Sequence, residues 1–514
     1  MLRWLLAFLV LSGMLPALGA AEPTYWQDIR PLLRKNCTVC HNARQLAEPE
    51  VSGGLTLDTY PAVLRWARKK LALVQPGKSG DSLLYQVLVA DDPDKRMPLG
   101  AKPLSAEQIA LMRRWIDTGA KEGTPPAEAP VEVTRPRRRK LEVTLTAAGK
   151  TAPTLHLRVG PLSPITAVAF HPAGRLLAVG SYGQVTVWDL HEVRPATVLT
   201  NVLGAVNDLR FSPDGQLLAV AGGQASARGD LRLFTVSDWK LRASLSGHED
   251  VVNSVSFSKD GQKLLSGSFD RTARLWEVAS SKLERVLTHH SDFVTAVGFA
   301  PDGRHLFTGS KDRSVRLVEL SGAGKFTFSD RQEDVLSLAV HPGGASVVVT
   351  GLEPDLTWWN TQTGEKIRVA AGHRGAVHEL TFSSDGKLLA SAGADGTIKL
   401  WDGTTGTLAR SAVVGSPTYA VALRSDGGLV AAGSFDGLVR LFDASLTPCL
   451  TLLALPPDGG RTAWLALTSA GQVDGNPELL QQIRWQQAGK PLPPEATKTL
   501  IDPAAVRRAL GSSR

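Results

Sequence analysis

The stretch that decides the fold is Ser383–Asp402, with the sequence SSDGKLLASAGADGTIKLWD. A turn signal at Asp385-Gly386 leads into the apolar run Leu388-Leu389-Ala390, and a later run ends at Trp401-Asp402. Short apolar runs separated by Asp-Gly turns are typical of antiparallel strands joined by tight connections. The stretch therefore predicts strands of a β-sheet, not a helix.

This pattern recurs along the chain at a nearly constant interval. The turn glycines are Gly174, Gly215, Gly261, Gly303, Gly344, Gly386 and Gly427, and successive glycines are 41, 46, 42, 41, 42 and 41 positions apart. Each is followed by an apolar strand and later by a strand that ends near an aromatic or apolar residue with a polar neighbour, as at Trp188-Asp189 and Trp276-Glu277. Units of about 42 residues with four strand signals each are typical of propeller blades. The sequence predicts a mainly β protein with a seven-bladed β-propeller over residues 151–455.

The units resemble WD repeats. His248 precedes Trp276 by 28 positions and Asp270 precedes it by 6, and His373 and Asp395 stand at the same offsets from Trp401. The resemblance implies that such a histidine and aspartate hydrogen-bond through a serine to the tryptophan N–H within one blade. These histidines are therefore predicted to be structural.

Other units depart from this pattern. His290 and Asp312 keep the offsets, but Val318 replaces the tryptophan, and the fifth unit, with Trp358 and Trp359, departs furthest. The 46-residue unit carries its extra length at Gly222–Asp230, which we regard as a candidate contact loop.

The closing strand of the last blade is left open by the sequence. Either Leu155–Val159 or Cys449–Leu453 could supply it. Residues 456–514 are predicted to be an extension packed on the propeller, with a helix-like segment at Glu478–Trp485.

Composition excludes several classes of protein. Of the 514 residues, 43% are hydrophobic and 21% are charged, which is typical of a globular chain and excludes a disordered or fibrous one. A net charge of +8 is thinly spread, so no nucleic-acid partner is predicted. Three cysteines are too few for a disulfide framework.

The amino terminus resembles an export signal. Arg3 precedes the apolar run Trp4–Leu11, and small residues follow at Ala17–Ala21. This order predicts a signal peptide at residues 1–20, a periplasmic or otherwise extracytoplasmic location, and a mature chain without a transmembrane span. Residues 124–150 are rich in proline and arginine, including the basic cluster Arg135–Lys140, and predict a linker.

A haem-attachment motif follows, at Cys37-Thr38-Val39-Cys40-His41. Two thiols one helical turn apart can each form a thioether with a haem vinyl group, and the adjacent histidine can then bind the iron. A zinc site is an alternative, but Cys37, Cys40 and His41 are the only cysteines and histidines before residue 156. A redox-active disulfide is another, although it would suit a βαβ setting better.

The second axial ligand follows by elimination. Beyond the predicted signal peptide, Met97 and Met112 are the only methionines. Met112 lies in a helix with Ser105 as its N-cap, on one face with Ile109 and Trp115, and is predicted to fill the core. Met97 precedes Pro98 in a predicted loop, which favours Met97 as the ligand; a five-coordinate haem is the alternative.

The region 22–123 resembles planctomycete-type cytochrome c domains. The resemblance is carried by Asp28–Leu33, Cys37–His41, Gly53–Asp58, Arg96–Pro98 and Trp115–Ala120. It implies a small all-α domain with one covalent haem c, bound by Cys37 and Cys40, with His41 and Met97 as iron ligands.

These features together predict an exported, non-enzymatic haem c protein. Its haem domain would transfer single electrons to an unidentified protein redox partner, while the propeller docks another protein. Two alternatives are a propeller that acts as a quinoprotein-like dehydrogenase feeding the haem, and an interaction or adhesion scaffold with a vestigial or gas-sensing haem.

Overall fold

The computed structural model describes residues 22–37, 55, 57, 60–65, 67–68, 71–92, 96–97, 103–123, 141–146, 153–159, 162–200, 202–225, 228–321, 324–328, 333–457, 462–487 and 490–510. The chain divides into an amino-terminal unit, Met1–Leu99 with Pro103–Pro130, and a second unit, Gly100–Lys102 with Val131–Arg514. The predicted signal peptide at residues 1–20 lies outside the described residues.

The amino-terminal unit is mainly helical. Its helical segments are Tyr25–Ile29 (a π-helix), Arg30–Asn36, Tyr60–Arg65, Ser79–Asp81 (a 3₁₀-helix), Leu83–Leu88 and Ala106–Asp117. Ala67–Arg68 pairs with Leu71–Ala72 in a short antiparallel ribbon, which the prediction of an all-α domain omitted.

The longest of these helices begins as the sequence predicts. The Ser105 hydroxyl accepts from the Gln108 backbone N–H, and the Gln108 side chain accepts from the Ser105 N–H, so the two residues form a capping box. Met112, Trp115 and Ile116 on this helix are completely buried. They pack in one apolar core with Ile29 and Leu33 of the first helical segments, as the 3.6-residue periodicity requires.

The second unit consists mainly of antiparallel sheets, which we number sheet 1 to sheet 7 in chain order. Sheet 1 contains Ala167–Phe170, Leu176–Ser181, Gln184–Asp189 and Arg194–Leu199. Sheet 2 contains Leu217–Gln224, Arg228–Thr235 and Leu241–Ser244, and Ala205–Phe211 precedes them as the first strand of this repeat. Sheet 3 contains Val252–Phe257, Lys263–Ser268, Ala273–Glu277 and Lys282–Leu287, and sheet 4 contains Val294–Phe299, His305–Ser310, Val315–Glu319 and Gly324–Phe328. Sheet 5 contains Val335–Val340, Ser346–Gly351, Leu356–Asn360 and Lys366–Ala370. Sheet 6 contains Val377–Phe382, Leu388–Gly393, Thr397–Asp402 and Leu408–Val413. Sheet 7 has six strands, which are Thr418–Leu423, Leu429–Ser434, Val439–Asp443, Pro448–Ala454, Trp464–Thr468 and Val473–Gly475.

Each sheet buries most of its second and third strands. In sheets 1 to 6 the last strand is the more exposed one, whereas Pro448–Ala454 of sheet 7 is partly buried because Trp464–Thr468 pairs with it. Gln184–Asp189 is buried along its whole length, whereas Lys282–Leu287 is exposed except at its last residue. Burial on both faces explains why the middle strands are continuous apolar runs without polar alternation. The sheets therefore pack face against face, with the last strands of sheets 1 to 6 outermost.

The first strand of each sheet contacts the first strand of the next, and that of sheet 7 contacts that of sheet 1. The Ile165 backbone N–H donates to the Ser434 carbonyl at 3.1 Å. Val168 of sheet 1 lies in one apolar cluster with Ala420 and Ala431 of sheet 7. The two ends of the repeat array are thus packed together.

The structure resolves the question of the closing strand. Pro448–Ala454 pairs with Val439–Asp443 and supplies the fourth strand of sheet 7. Thr154–Val159 instead pairs with Leu141–Thr146 on one side and Arg484–Gln487 on the other, in a separate sheet that Lys490–Pro491 extends. The carboxyl-terminal alternative is therefore correct.

Two predicted boundaries need correction. Leu141–Thr146 forms a strand inside the predicted linker 124–150, because it pairs along its whole length with Thr154–Val159. In the predicted helix-like segment Glu478–Trp485, only Pro477–Leu480 is helical, and Arg484–Gln487 is a strand because Trp485 pairs with Leu155.

The carboxyl-terminal extension packs on the repeat sheets. Trp464 lies edge-on to Trp188 of sheet 1, with ring centroids 5.9 Å apart. Two further helices, Pro494–Lys498 and Pro503–Arg508, follow, and Val506 of the second is completely buried in the cluster shared by sheets 1 and 7. Within the described ranges, no helix has the length and apolarity that a membrane span requires.

Candidate functional site

Two kinds of connection between strands lie at the same end of the sheets. The loop before the first strand of a sheet and the turn between its second and third strands lie at the same end, because these strands are antiparallel. The Phe269 N–H donates to the Val251 carbonyl at 2.9 Å, and the Phe435 N–H donates to the Pro417 carbonyl at 2.8 Å, joining turn to loop in sheets 3 and 7. We call this end of the sheets the turn end.

A polar network fixes the turn end of sheet 3. His248 Nδ1 lies 2.8 Å from Asp270 Oδ2, and its Nε2 lies 2.7 Å from Ser266 Oγ. The Trp276 indole N–H donates to the same hydroxyl at 2.8 Å. This His–Asp–Ser–Trp network is the arrangement that the repeat resemblance implied.

The electrostatics of the network favour a neutral histidine and an ionised aspartate. Burial lowers the pKa of His248, although Asp270 opposes that shift. Burial alone would raise the pKa of Asp270, but hydrogen bonds with His248 and Thr272 hold it well below its usual range. Because both ring nitrogens of His248 are hydrogen-bonded, this histidine is structural and is not available as a catalytic base.

Sheets 4 and 6 contain related networks. In sheet 6, His373 Nε2 lies 2.7 Å from Ser391 Oγ, and the Trp401 indole N–H donates to this hydroxyl at 2.9 Å. In sheet 4, Thr308 replaces the serine and lies 2.8 Å from His290 Nε2. The predicted structural role of the three histidines is confirmed.

Sheet 5 lacks the network, as the sequence indicated. Trp359 pairs with Val347 in the register that Trp276 has with Leu264 in sheet 3. The Trp358 indole nitrogen and the Thr350 hydroxyl are buried, and neither has a hydrogen-bond partner among the described residues. Sheet 5 is therefore held by apolar packing.

An ion triad joins sheets 2 and 6, which are not neighbours in the array. Arg210 Nη2 lies 3.3 Å from Glu379 Oε1, and its Nε lies 3.3 Å from Asp208 Oδ1. Glu379 Oε2 accepts from the Val421 N–H at 2.8 Å, and Asp208 Oδ2 accepts from the Val255 N–H at 2.8 Å. Both carboxylates are thus anchored to the backbone of the following sheet.

Burial dominates the acid–base properties of the triad. It raises the pKa of Glu379 to about 7, although the Arg210 guanidinium opposes the shift. It also raises the pKa of Asp208. Sequence reasoning missed these residues; the available signal was one arginine at a first-strand position where other repeats have Gly298 or Ala339.

Large apolar side chains protrude at the turn end. Tyr182 is 62% exposed, Phe435 is 56% exposed and Leu352 is 46% exposed. Each follows directly on the second strand of its sheet, in sheets 1, 7 and 5. The ring of Tyr419 lies between those of His378 and Phe435, with centroids 4.9 and 6.3 Å apart. Exposed aromatic clusters of this kind mark interaction sites.

The predicted contact loop at Gly222–Asp230 forms part of a long hairpin. Gly222 pairs with Asp230, and Gln224 pairs with Arg228. The extra residues of the 46-residue unit therefore lengthen two strands of sheet 2 at the turn end.

The four residues predicted to bind haem are only partly described. Cys37 is buried at the end of the helix Arg30–Asn36, where its N–H donates to the Leu33 carbonyl at 2.7 Å. The N–H of half-buried Met97 donates to the Val87 carbonyl at 2.8 Å. Cys40 and His41 lie outside the described residues. Met112 is completely buried, as expected for a core residue.

Comparison with known families supports the repeat assignment. Six segments match the WD domain, G-beta repeat family: 154–189, 196–234, 239–277, 281–319, 364–402 and 411–443. The unmatched interval from 320 to 363 contains the first three strands of sheet 5, which lacks the polar network. Residues 37–98 match the Planctomycete cytochrome C family. The WD-repeat prediction is confirmed, and the cytochrome fusion is supported only by the shorter match.

The curated relatives match about half of this chain and are larger proteins. Periodic tryptophan protein 2 of Saccharomyces cerevisiae is 40% identical over 241 residues, which is 46% of this chain and 26% of that protein. Its homologue in Schizosaccharomyces pombe is 42% identical over 47% of this chain and 28% of that protein. Periodic tryptophan protein 2 of Arabidopsis thaliana is 32% identical over 48% of this chain and 23% of that protein. The chain spans about a quarter of the length of these relatives.

These relatives contradict the predicted function. They are Periodic tryptophan protein 2, not cytochromes, so the prediction of an exported haem c protein that transfers single electrons is wrong. The predicted haem c cofactor and the periplasmic or extracytoplasmic location are corrected on the same ground. Within the part of the chain that the structure describes, no group of three or more His, Cys, Asp or Glu side chains is placed to hold a metal ion.

The indole hydrogen bond of sheet 3 can be isolated by a matched pair of substitutions. Trp276 and Trp358 are 2% and 1% exposed, so Trp276→Phe and Trp358→Phe remove similar buried volume. Only Trp276→Phe also removes a hydrogen bond, so we expect it to lower the free energy of unfolding by about 1 kcal/mol more than Trp358→Phe. Urea denaturation of both variants measures the difference. Equal losses would contradict the role of the network.

Glu379 makes stability depend on pH. Its folded pKa of about 7 lies above the usual value of 4.5, so its contribution is complete below about pH 4.5 and is lost as pH rises through 7. We expect the free energy of unfolding of the wild-type chain to fall by about 2 kcal/mol relative to Glu379→Gln between pH 5 and pH 8. Exposed Glu333→Gln is the control and should follow the wild-type profile. Parallel profiles for wild type and Glu379→Gln would show that Glu379 titrates normally.

Proposed function

We propose that residues 151–455 form a seven-bladed β-propeller that acts as a non-catalytic scaffold for protein binding, with residues 456–514 as its packed extension. The contact of sheet 7 with sheet 1 supports closure of the array. The Arg210–Glu379 ion pair supports it further, because sheets 2 and 6 can meet only if their first strands surround a common axis. Six matches to the WD domain family support the scaffold role.

The observation that carries the function is the exposed aromatic pair at the turn end. Tyr182 and Phe435 occupy equivalent positions in sheets 1 and 7, which pack together. Among the most exposed large apolar side chains of the described residues, they are the two aromatic ones. Aromatic side chains dominate the binding energy of protein interfaces. We therefore place partner binding at the turn end rather than at the outer strands.

A photo-crosslinking experiment tests this placement. A benzophenone amino acid at position 182 in the full chain should crosslink a discrete partner in extract of the source cells, and Phe435→Ala should weaken that crosslink about tenfold or more. A benzophenone at position 369, where Val369 is 51% exposed on the fourth strand of sheet 5, is the matched control. The same partner crosslinked equally at both positions would contradict the proposal. An unchanged melting temperature for Phe435→Ala excludes unfolding as the cause.

For the amino-terminal unit, we propose that Cys37, Cys40, His41 and Met97 together hold one bound group, within a domain spanning residues 22–123. The family match over residues 37–98 includes all four residues and supports their joint role. The corrected haem assignment forms no part of this proposal. Two thiols, an imidazole and a thioether form a donor set for soft ligands.

Alkylation of the native chain tests the four residues. We expect Cys37 and Cys40 to resist iodoacetamide and His41→Ala or Met97→Ala to restore their labelling, because a bound group shields both thiols. Mass spectrometry of peptides reports the labelled fraction, and Cys449, which is half-buried in sheet 7, serves as the internal reference. Full labelling of both cysteines in the wild-type chain would sink this assignment.

A further inference from the structure

The turn end is unevenly charged. Between sheets 3 and 5 its carboxylates include Glu249, Asp292, Glu333, Asp334, Glu353 and Asp355. The cations of the same connections are Arg271, Lys311, Arg313 and Arg331. We call this sector the acidic sector. It stands out because the whole chain carries a net charge of +8.

The polar networks add to this negative charge. Asp270 and Asp312 lie in the same turns, and hydrogen bonds hold the pKa of each below its usual range. Burial lowers the pKa of His248, the partner of Asp270, and so favours its neutral form. The ionised aspartates add negative charge at this end of the sheets, and Arg274 Nη2, 3.8 Å from Asp270 Oδ2, offsets part of it.

Apolar side chains accompany the carboxylates. Phe269 and Phe293 stack with ring centroids 4.6 Å apart and planes 12° from parallel. Leu352, which follows the second strand of sheet 5, is nearly half exposed. The sector therefore offers both charge and apolar contact.

The protein already holds one ammonium group on this sector. Lys311 Nζ lies 5.7 Å from the centre of the Phe293 ring and 3.6 Å from Asp334 Oδ2. A cation between an aromatic face and a carboxylate is favourable where both are partly shielded from water. The same pairing of ring and carboxylate is suited to cations from another chain.

We propose that the acidic sector binds a basic segment of a partner protein, in which lysine or arginine residues alternate with apolar ones. This inference rests on the proposed scaffold function and adds the chemistry of the partner. Charge complementarity selects a basic partner, and Phe269, Phe293 and Leu352 supply contacts for the intervening apolar side chains. The chain's own basic cluster Arg135–Lys140 is the competing occupant.

The test uses the full chain and a fluorescent peptide of alternating lysine and leucine. We expect Asp292→Asn, Glu333→Gln and Asp355→Asn together to weaken binding at least about tenfold at low salt and to reduce its salt dependence. The control replaces Glu277, Glu319 and Glu365 by glutamine, which removes the same charge at the opposite end of the sheets. Fluorescence anisotropy gives the affinity, and melting temperatures confirm that all variants fold.

Three results would overturn the proposal. The first is equal weakening by the control substitutions, and the second is equally tight binding of a peptide alternating glutamate and leucine. The third is an about tenfold gain in affinity when Arg135–Lys140 is replaced by glycine and serine, which would assign the sector to the chain's own segment. A partner that crosslinks at position 182 while the basic peptide fails to bind would leave the scaffold function intact and remove only this inference.

Discussion

The packing of the first repeat sheet against the last is the contact on which the second unit depends. A single repeat sheet has two apolar faces and cannot bury both by itself, so an open array leaves one face of sheet 1 and one of sheet 7 in water. The shared cluster of Val168, Ala420 and Ala431 removes both faces from solvent at once. Val506 of the extension is buried in the same cluster, so the last helix of the chain reinforces the junction that the array most needs.

This dependence explains which parts of the fold were predictable. The repeat period, the strand order and the His–Asp–Ser–Trp networks were readable because each is local to about 42 residues and recurs. The closing strand was not readable, since Leu155–Val159 and Cys449–Leu453 both have a strand-like pattern and only tertiary pairing separates them. The prediction of a helix-like segment at Glu478–Trp485 was partly wrong for the same reason, because pairing of Trp485 with Leu155 overrides its helical pattern.

The candidate sites divide along similar lines. The motif at Cys37–His41 led to a cofactor and a function, and the pattern of residues 1–20 led to a location, all of which the relatives of the repeat region contradict. The repeat pattern, in contrast, was supported by many independent positions. Arg210 and Glu379 were invisible to motif reasoning because they lie 169 positions apart and meet only when the array closes. The exposed Tyr182 and Phe435 are also far apart in sequence, and their common position appears only after the repeats are aligned.

Conserved geometry and variable chemistry are separated within each sheet. The networks of sheets 3, 4 and 6 bury histidine, hydroxyl and aspartate to fix the turn, and they leave the residue just after the second strand free to vary. That residue is Phe269 in sheet 3, Lys311 in sheet 4 and Ala394 in sheet 6. Tyr182, Leu352 and Phe435 hold the same position in sheets 1, 5 and 7. A rigid turn that presents a variable side chain costs little extra entropy on binding, because the backbone is already ordered. The same geometry that makes the fold recognisable from its repeats therefore allows the turn end to acquire its own pattern of rings and carboxylates.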